Sequence, residues 1–278
     1  MRRSLILLLA LATLPFVAIG CGGGTDATQG MTAEQVLTES AKRTEALTSY
    51  RFAIDVKAKA ELDAAGALGD ILSGPLDITG EGAAKDPGDF TFDVTVTLGP
   101  GPIQANITKV GGALYASLLG QAIKLDVDAA VVKALDATKL APALAGWIKD
   151  PVLVGTEEVD GVPVVHIRGT VDEKALADDA GALLTGIDAG GAVTAAAAGG
   201  DQLEVATVDI WVGQEDLLLH RVHAGLVSKD ALAAVPGLKS IDLDLTATLS
   251  GFDAPVDITA PAGARTVDLA SITGLLGG

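Results

Sequence analysis

Residues 50–62 read Tyr50-Arg51-Phe52-Ala53-Ile54-Asp55-Val56-Lys57-Ala58-Lys59-Ala60-Glu61-Leu62. Tyr50, Phe52, Ile54, Val56, Ala58, Ala60 and Leu62 fall on one parity and are apolar. Arg51, Ala53, Asp55, Lys57, Lys59 and Glu61 fall on the other, and all but one are charged. Successive side chains of a strand point to opposite faces, so this stretch predicts a long strand with one face buried. The pattern recurs downstream. Phe90, Phe92, Val94, Val96 and Leu98 oppose Asp89, Thr91, Asp93, Thr95 and Thr97, and Ile241, Leu243, Leu245, Ala247 and Leu249 oppose Asp242, Asp244, Thr246, Thr248 and Ser250.

Working outward, further strands are predicted over 76–84, 103–110, 113–118, 123–127, 152–159, 162–169, 203–212 and 217–227. A short edge strand is expected at Val256 to Thr259. Asp86-Pro87-Gly88-Asp89, Gly99-Pro100-Gly101-Pro102, Gly111-Gly112 and Asp160-Gly161 supply the turns. Strands joined by tight turns pair antiparallel, and about ten strands in one sheet curl strongly. Three helical patches are expected to cover the apolar side. The first starts at Thr32, where Thr32 and Gln35 make a capping box, with Met31 and Val36 at staple positions. The others span 129–149 and 172–184. The predicted fold class is α+β: a single strongly curved antiparallel sheet, a half-barrel, with a few helices over its concave apolar face.

The chain has 278 residues, 36 acidic against 19 basic, and a formal charge of −17. That charge excludes a basic footprint for nucleic acid. A lone cysteine excludes internal disulfides and CxxC sites. Hydrophobic residues make up 49% but aromatics only 3%, so the apolar mass is Ala, Val, Leu, Ile and Gly. Two readings of this remain open. One is a tight core of small aliphatics from a GC-rich genome. The other is a pocket for flexible acyl chains, lined by aliphatic side chains.

Arg2 and Arg3 precede an apolar stretch, Leu5 to Ala12, too short to span a bilayer but suited to an export signal. Val17-Ala18-Ile19-Gly20-Cys21 looks like a bacterial lipobox, with Ala18 where Leu is usual. The expected organisation is a signal over 1–20, a flexible tether over 21–31 after a Cys21 carrying covalent diacylglycerol, one domain over 32–260, and a tail over 261–278. Removing the signal with its two arginines takes the formal charge to about −19.

No constellation suggests catalysis. His220 and His223 are three apart, which on a strand places them on opposite faces, so two solvated histidines are expected rather than a metal site. His166 is expected exposed or half-buried. Neither GxSxG nor a P-loop is present. Glu157-Glu158 and Asp178-Asp179 read as acidic surface. By strand parity, the candidate lining of an acyl site is Phe52, Ile54, Val56, Phe92, Val94, Val96, Ile103, Ile107, Tyr115, Trp211, Leu243 and Leu245.

Four segments, in order, resemble the LppX/LprG-type lipoproteins of actinobacteria. They are Val36 to Ala41 running on through Ala46-Leu47-Thr48-Ser49-Tyr50 to Val56, Gly112 to Leu118, Val159 to Gly169, and Val208-Asp209-Ile210-Trp211-Val212 with Leu217 to Ala224. The resemblance implies a LolA/LolB-like half-barrel that binds and carries acylated lipids or glycolipids, with no catalytic residues and no cofactor. The expected setting is the outer face of the cytoplasmic membrane. The expected partners are an acylated lipid or glycolipid, the membrane through the anchor, and, as a further partner this reading admits, a membrane lipid transporter. The alternative is a non-transporting sensor or scaffold of similar fold.

Overall fold

A computed structural model of the chain describes residues 26–62, 75–86, 88–98, 101–118, 120–126, 147–172, 204–229 and 238–268. Helix α1 spans Ala33–Glu45. The expected capping box forms: the Gln35 N–H donates to Thr32 Oγ1 at 3.3 Å, and the Thr32 N–H donates to Gln35 Oε1 at 2.9 Å. These bonds satisfy two of the backbone donors that a helix start leaves free. The strands are β1 (Ser49–Leu62), β2 (Leu76–Lys85), β3 (Asp89–Leu98), β4 (Gly101–Val110), β5 (Ala113–Leu118), β6 (Gln121–Asp126), β7 (Ile148–Val159), β8 (Val162–Val171), β9 (Glu204–Gly213), β10 (Leu219–Lys229), β11 (Leu238–Ser250) and β12 (Arg265–Asp268).

They form one sheet in the order β12-β6-β5-β4-β3-β2-β1-β11-β10-β9-β8-β7. Every pairing is antiparallel except β12 on β6. The glycine and Asp-Gly turns work as their chemistry requires. Gly111 and Gly112 have φ of 58° and 73°, and Asp160 and Gly161 have 52° and 84°, the left-handed pair of a two-residue hairpin. The two outer strands, β12 and β7, do not meet, so the sheet stays open.

The core lies between α1 and one end of the apolar face. Val36 and Leu37 of α1, with Leu47, meet Tyr50, Ala84, Val165, Ile167, Ile210, Val212, Val222 and Leu249. Val36, Val164 and Val212 are fully buried.

Several sequence expectations are corrected. The helix expected to end at Trp147-Ile148 does not reach that point: Ile148 opens β7, where Val152 and Leu153 pair with Arg168 and Ile167. Val256 to Thr259 joins no ladder; it is anchored instead by Ile258, which is buried. The edge strand comes later, as β12, inside the stretch expected to be tail. Residues 26–31, expected as flexible tether, turn against the domain: the Ala27 N–H donates to the Gln214 carbonyl at 2.7 Å, and Thr28 is buried. The export segment, Cys21, the helix expected over 172–184 beyond Asp172, and the rest of the helix expected over 129–149 lie outside the described residues.

Candidate functional site

The strand registers place the candidate residues. Pairing across β1 and its neighbours aligns Leu245, Val56, Ile78, Val96 and Ile103 in one row. The next row holds Ala247, Ile54, Gly80, Val94, Ala105 and Leu118, and the next Leu249, Phe52, Gly82, Phe92, Ile107 and Ala116. Leu243 pairs with Ala58 on the same face. Phe52, Ile54, Val56, Phe92, Val94, Val96, Ile103, Ile107, Leu243 and Leu245 therefore share one face with the core residues under α1. The middle row continues through Val222, Ile210 and Ile167 to Leu153. Its terminal leucines, Leu118 and Leu153, are each 48% exposed, and Ile103 beside the first is 54% exposed.

Tyr115 and Trp211 do not join this face. Tyr115 pairs with Thr108 and Lys124, between Leu114 and Ala116 whose parity is apolar. Trp211 alternates with the buried Ile210 and Val212, so its ring lies on the polar side. There it stacks on His166 at 4.7 Å and 13°, has the Arg221 guanidinium 5.9 Å from its centre, and donates its indole N–H to Glu157 at 2.6 Å. Cover from neighbouring strands makes a polar face acceptable to a large ring.

Along the apolar face, burial changes with distance from α1. Tyr50 and Ala84 are buried in the core, and Phe52 packs against it. Ile54, Val56, Ile78, Val94 and Val96 are only half-buried. Phe52 and Phe92 mark the boundary, with ring centres 5.6 Å apart, and Tyr50 follows at 6.2 Å from Phe52. Between the two phenylalanines runs β2, which carries glycine at both facing positions. A Cβ at Gly80 would sit 2.5 Å from the Phe92 ring, and one at Gly82 would collide with the Phe52 ring. The glycines are slots for the rings. The reading of residues alone missed them, although a glycine inside a strand signals close approach of something else.

The opposite face is polar. An open recess of about 1270 Å³ is lined by Asp55, Thr79, Glu81, Asp93, Thr95, Gln104, Asn106, Ser117, Thr246 and Thr248, and also by Ile54, Val94, Ile103, Ala105 and Leu118 of the apolar parity. Most of its lining has the polar parity, with the aliphatic residues of β1, β3, β4 and β5 set between. Glu81 and Asp93 stand directly opposite each other, and Asp93 accepts from the Asn106 amide at 2.9 Å.

Further along this face, buried Asp209 binds His166 Nε2 at 2.6 Å and Arg168 Nε at 2.7 Å. Burial raises the Asp209 carboxyl, but the hydrogen bonds from Arg168 and His166 outweigh it and hold the group below the usual carboxylate range. His223 turns to Asp244 at 2.9 Å. His220 is not solvated as expected: it is buried, edge-on to Phe252, with Nε2 3.0 Å from Asp216. No group of carboxylates and imidazoles among the described residues has the geometry of a metal site.

A family profile described as LppX_LprAFG lipoprotein matches residues 32–258, the helix and almost the whole sheet. The chain belongs to the LppX_LprAFG lipoprotein family. The fold agrees with that membership. LprF from Mycobacterium bovis has 18% identity and a TM-score of 0.50, covering 83% of this chain and 97% of its own. LppX from Mycobacterium tuberculosis has 14% identity and a TM-score of 0.45, covering 82% and 98%. A LolA superfamily protein from Nitrosomonas europaea has 13% identity and a TM-score of 0.25, covering 81% and 94%. No curated protein sequence matches the chain. This LppX_LprAFG chain therefore shares the fold of LprF, an open antiparallel sheet with α1 on its apolar face.

Proposed function

We propose that the protein is an exported lipoprotein, anchored through diacylglycerol on Cys21, that shelters acyl chains of a lipid or glycolipid against its apolar face and carries them within the cell envelope. The observation that carries this reading is the half-buried apolar face beyond Phe52 and Phe92, which continues a well-packed core instead of ending in polar residues. Membership of a lipoprotein family supports it. The chemistry needs no polar constellation. Burying about ten methylenes at ~0.8 kcal/mol each gives a gross gain near 8 kcal/mol, the scale of micromolar affinity.

The test is native mass spectrometry and solvent extraction of the purified mature protein, with a fluorescent acyl probe. Bound lipid and saturable probe binding are expected. Val94→Trp or Ile107→Trp should weaken probe binding about tenfold or more by filling the face, a loss of about 1.4 kcal/mol. Protein free of lipid that also fails to bind any acyl probe would leave the scaffold reading in its place.

A further inference from the structure

We infer that Phe52 and Phe92, seated in the slots of Gly82 and Gly80, form the floor of the acyl site and set how deep a chain reaches. The inference rests on the acyl-binding reading above and adds to it the determinant of chain length.

Three observations converge. On β1 the packed core ends at Tyr50, Phe52 lies against it, and Ile54 and Val56 beyond them are half-buried and outside it. On β1 to β3 the edge of the core therefore falls at the row of Phe52 and Phe92. That row is the one filled by rings: Phe52 from β1 and Phe92 from β3, with centres 5.6 Å apart across β2. In a chain with 3% aromatic residues, placing two phenylalanines in one row concentrates scarce bulk at one depth. Finally, β2 opposes them with glycine at both positions, where any Cβ would strike a ring. The Phe52 ring closes its own row over Gly82, and the Phe92 ring leans over Gly80 into the next row, between Ile54 and Val94. Tyr50 supports them from the core side at 6.2 Å.

A terminal methyl group sliding along Val96, Val94 and Ile54 meets these rings as a wall. Beyond it the face is already filled by Tyr50, Ala84 and the residues of α1. Successive same-face rows lie about 7 Å apart along a strand, the length of about five methylenes. Shortening both rings opens one such row.

The experiment uses the mature protein and saturated fatty acids of graded length, each competing with a fluorescent acyl probe. For the native protein, affinity should rise with each added methylene and then level off at a limiting length. In Phe52→Ala/Phe92→Ala that limit should move to chains about five carbons longer. Phe92→Leu, which keeps most of the packing, should move it by about two carbons in a protein of native circular dichroism. A limit unchanged in Phe92→Leu and in Phe52→Leu/Phe92→Leu, both of native circular dichroism, overturns the inference while leaving acyl binding intact. Failure of the native protein to bind a fatty acid of any length overturns the acyl-binding reading itself.

Discussion

Asp209 shows how much one polar residue settles on the face opposite the proposed site. It holds Arg168 and His166 through the same carboxylate, and His166 in turn underlies Trp211. Its folded pKa lies below the unfolded value, so this contribution to stability is present above the ordinary carboxylate pKa and is lost as pH falls through the folded one. Thermal unfolding should therefore hold steady above about pH 4 and drop below it. Asp209→Asn should flatten part of that drop and cost about 1–2 kcal/mol at neutral pH in chemical denaturation. This arrangement was half legible. Strand parity in Val208-Asp209-Ile210-Trp211-Val212 sets Asp209 and Trp211 on one face, opposite the buried Ile210 and Val212, so the expected inward Trp211 took the wrong parity. There the ring finds cover from His166 and Arg221 without crossing the sheet. Tyr115 was misplaced in the same way: it shares its row with Thr108 and Lys124.

Elements with strong local chemistry were the readable ones. The capping box of α1 is encoded in Thr32 and Gln35, and it forms as written. Thr32→Ala should cost about 1 kcal/mol, measured by urea denaturation, with no change in acyl binding. β1 was plain from its alternation, and its partners follow from that register. β2 was visible as a strand, but the purpose of its glycines was not, because the rings they admit come from β1 and β3. Gly82→Ala should destabilise the protein by roughly 1–3 kcal/mol, since the new methyl would press on both the Phe52 ring and the Thr91 carbonyl oxygen. Differential scanning calorimetry would show it as a lowered Tm. β7 was only partly read. Asp150 takes a φ of 50°, and register shifts flank Val152 and Leu153, so the strand lacks the clean period of two on which a sequence reading depends. β12 escaped because four residues carry too little pattern, and parallel pairing to β6 has no turn to announce it.

For the whole molecule, the open antiparallel sheet followed from consecutive strands and tight turns, but its central seam did not. β1 pairs with β11, strands separated by most of the chain, and nothing local in either one names the other. The expectation of an aliphatic void was likewise beyond the sequence. The described recess has a mixed lining, with Ile54, Val94, Ile103 and Leu118 among carboxylates and hydroxyls, and what the apolar face offers is half-buried rows bordered by a core. Stability should be graded accordingly. Native-state hydrogen exchange should be slowest in β1, β10 and β11, paired on both sides, and faster in β12 and the outer side of β7. Equal protection in β12 and β11 would contradict that gradient.

The seam between β1 and β11 also imposes an order of events. A chain that emerges amino-terminus first can zip β1 through β6 by neighbouring hairpins, and β7 through β10 in the same way. Neither half is complete, because the long edge of β1 waits for Leu238–Ser250. Joining these segments closes a loop of more than half the chain, a slow step that follows the fast local ones. Until it happens, a strand with an apolar face stands unpaired along one side, the kind of surface that nascent chains keep from one another only with help.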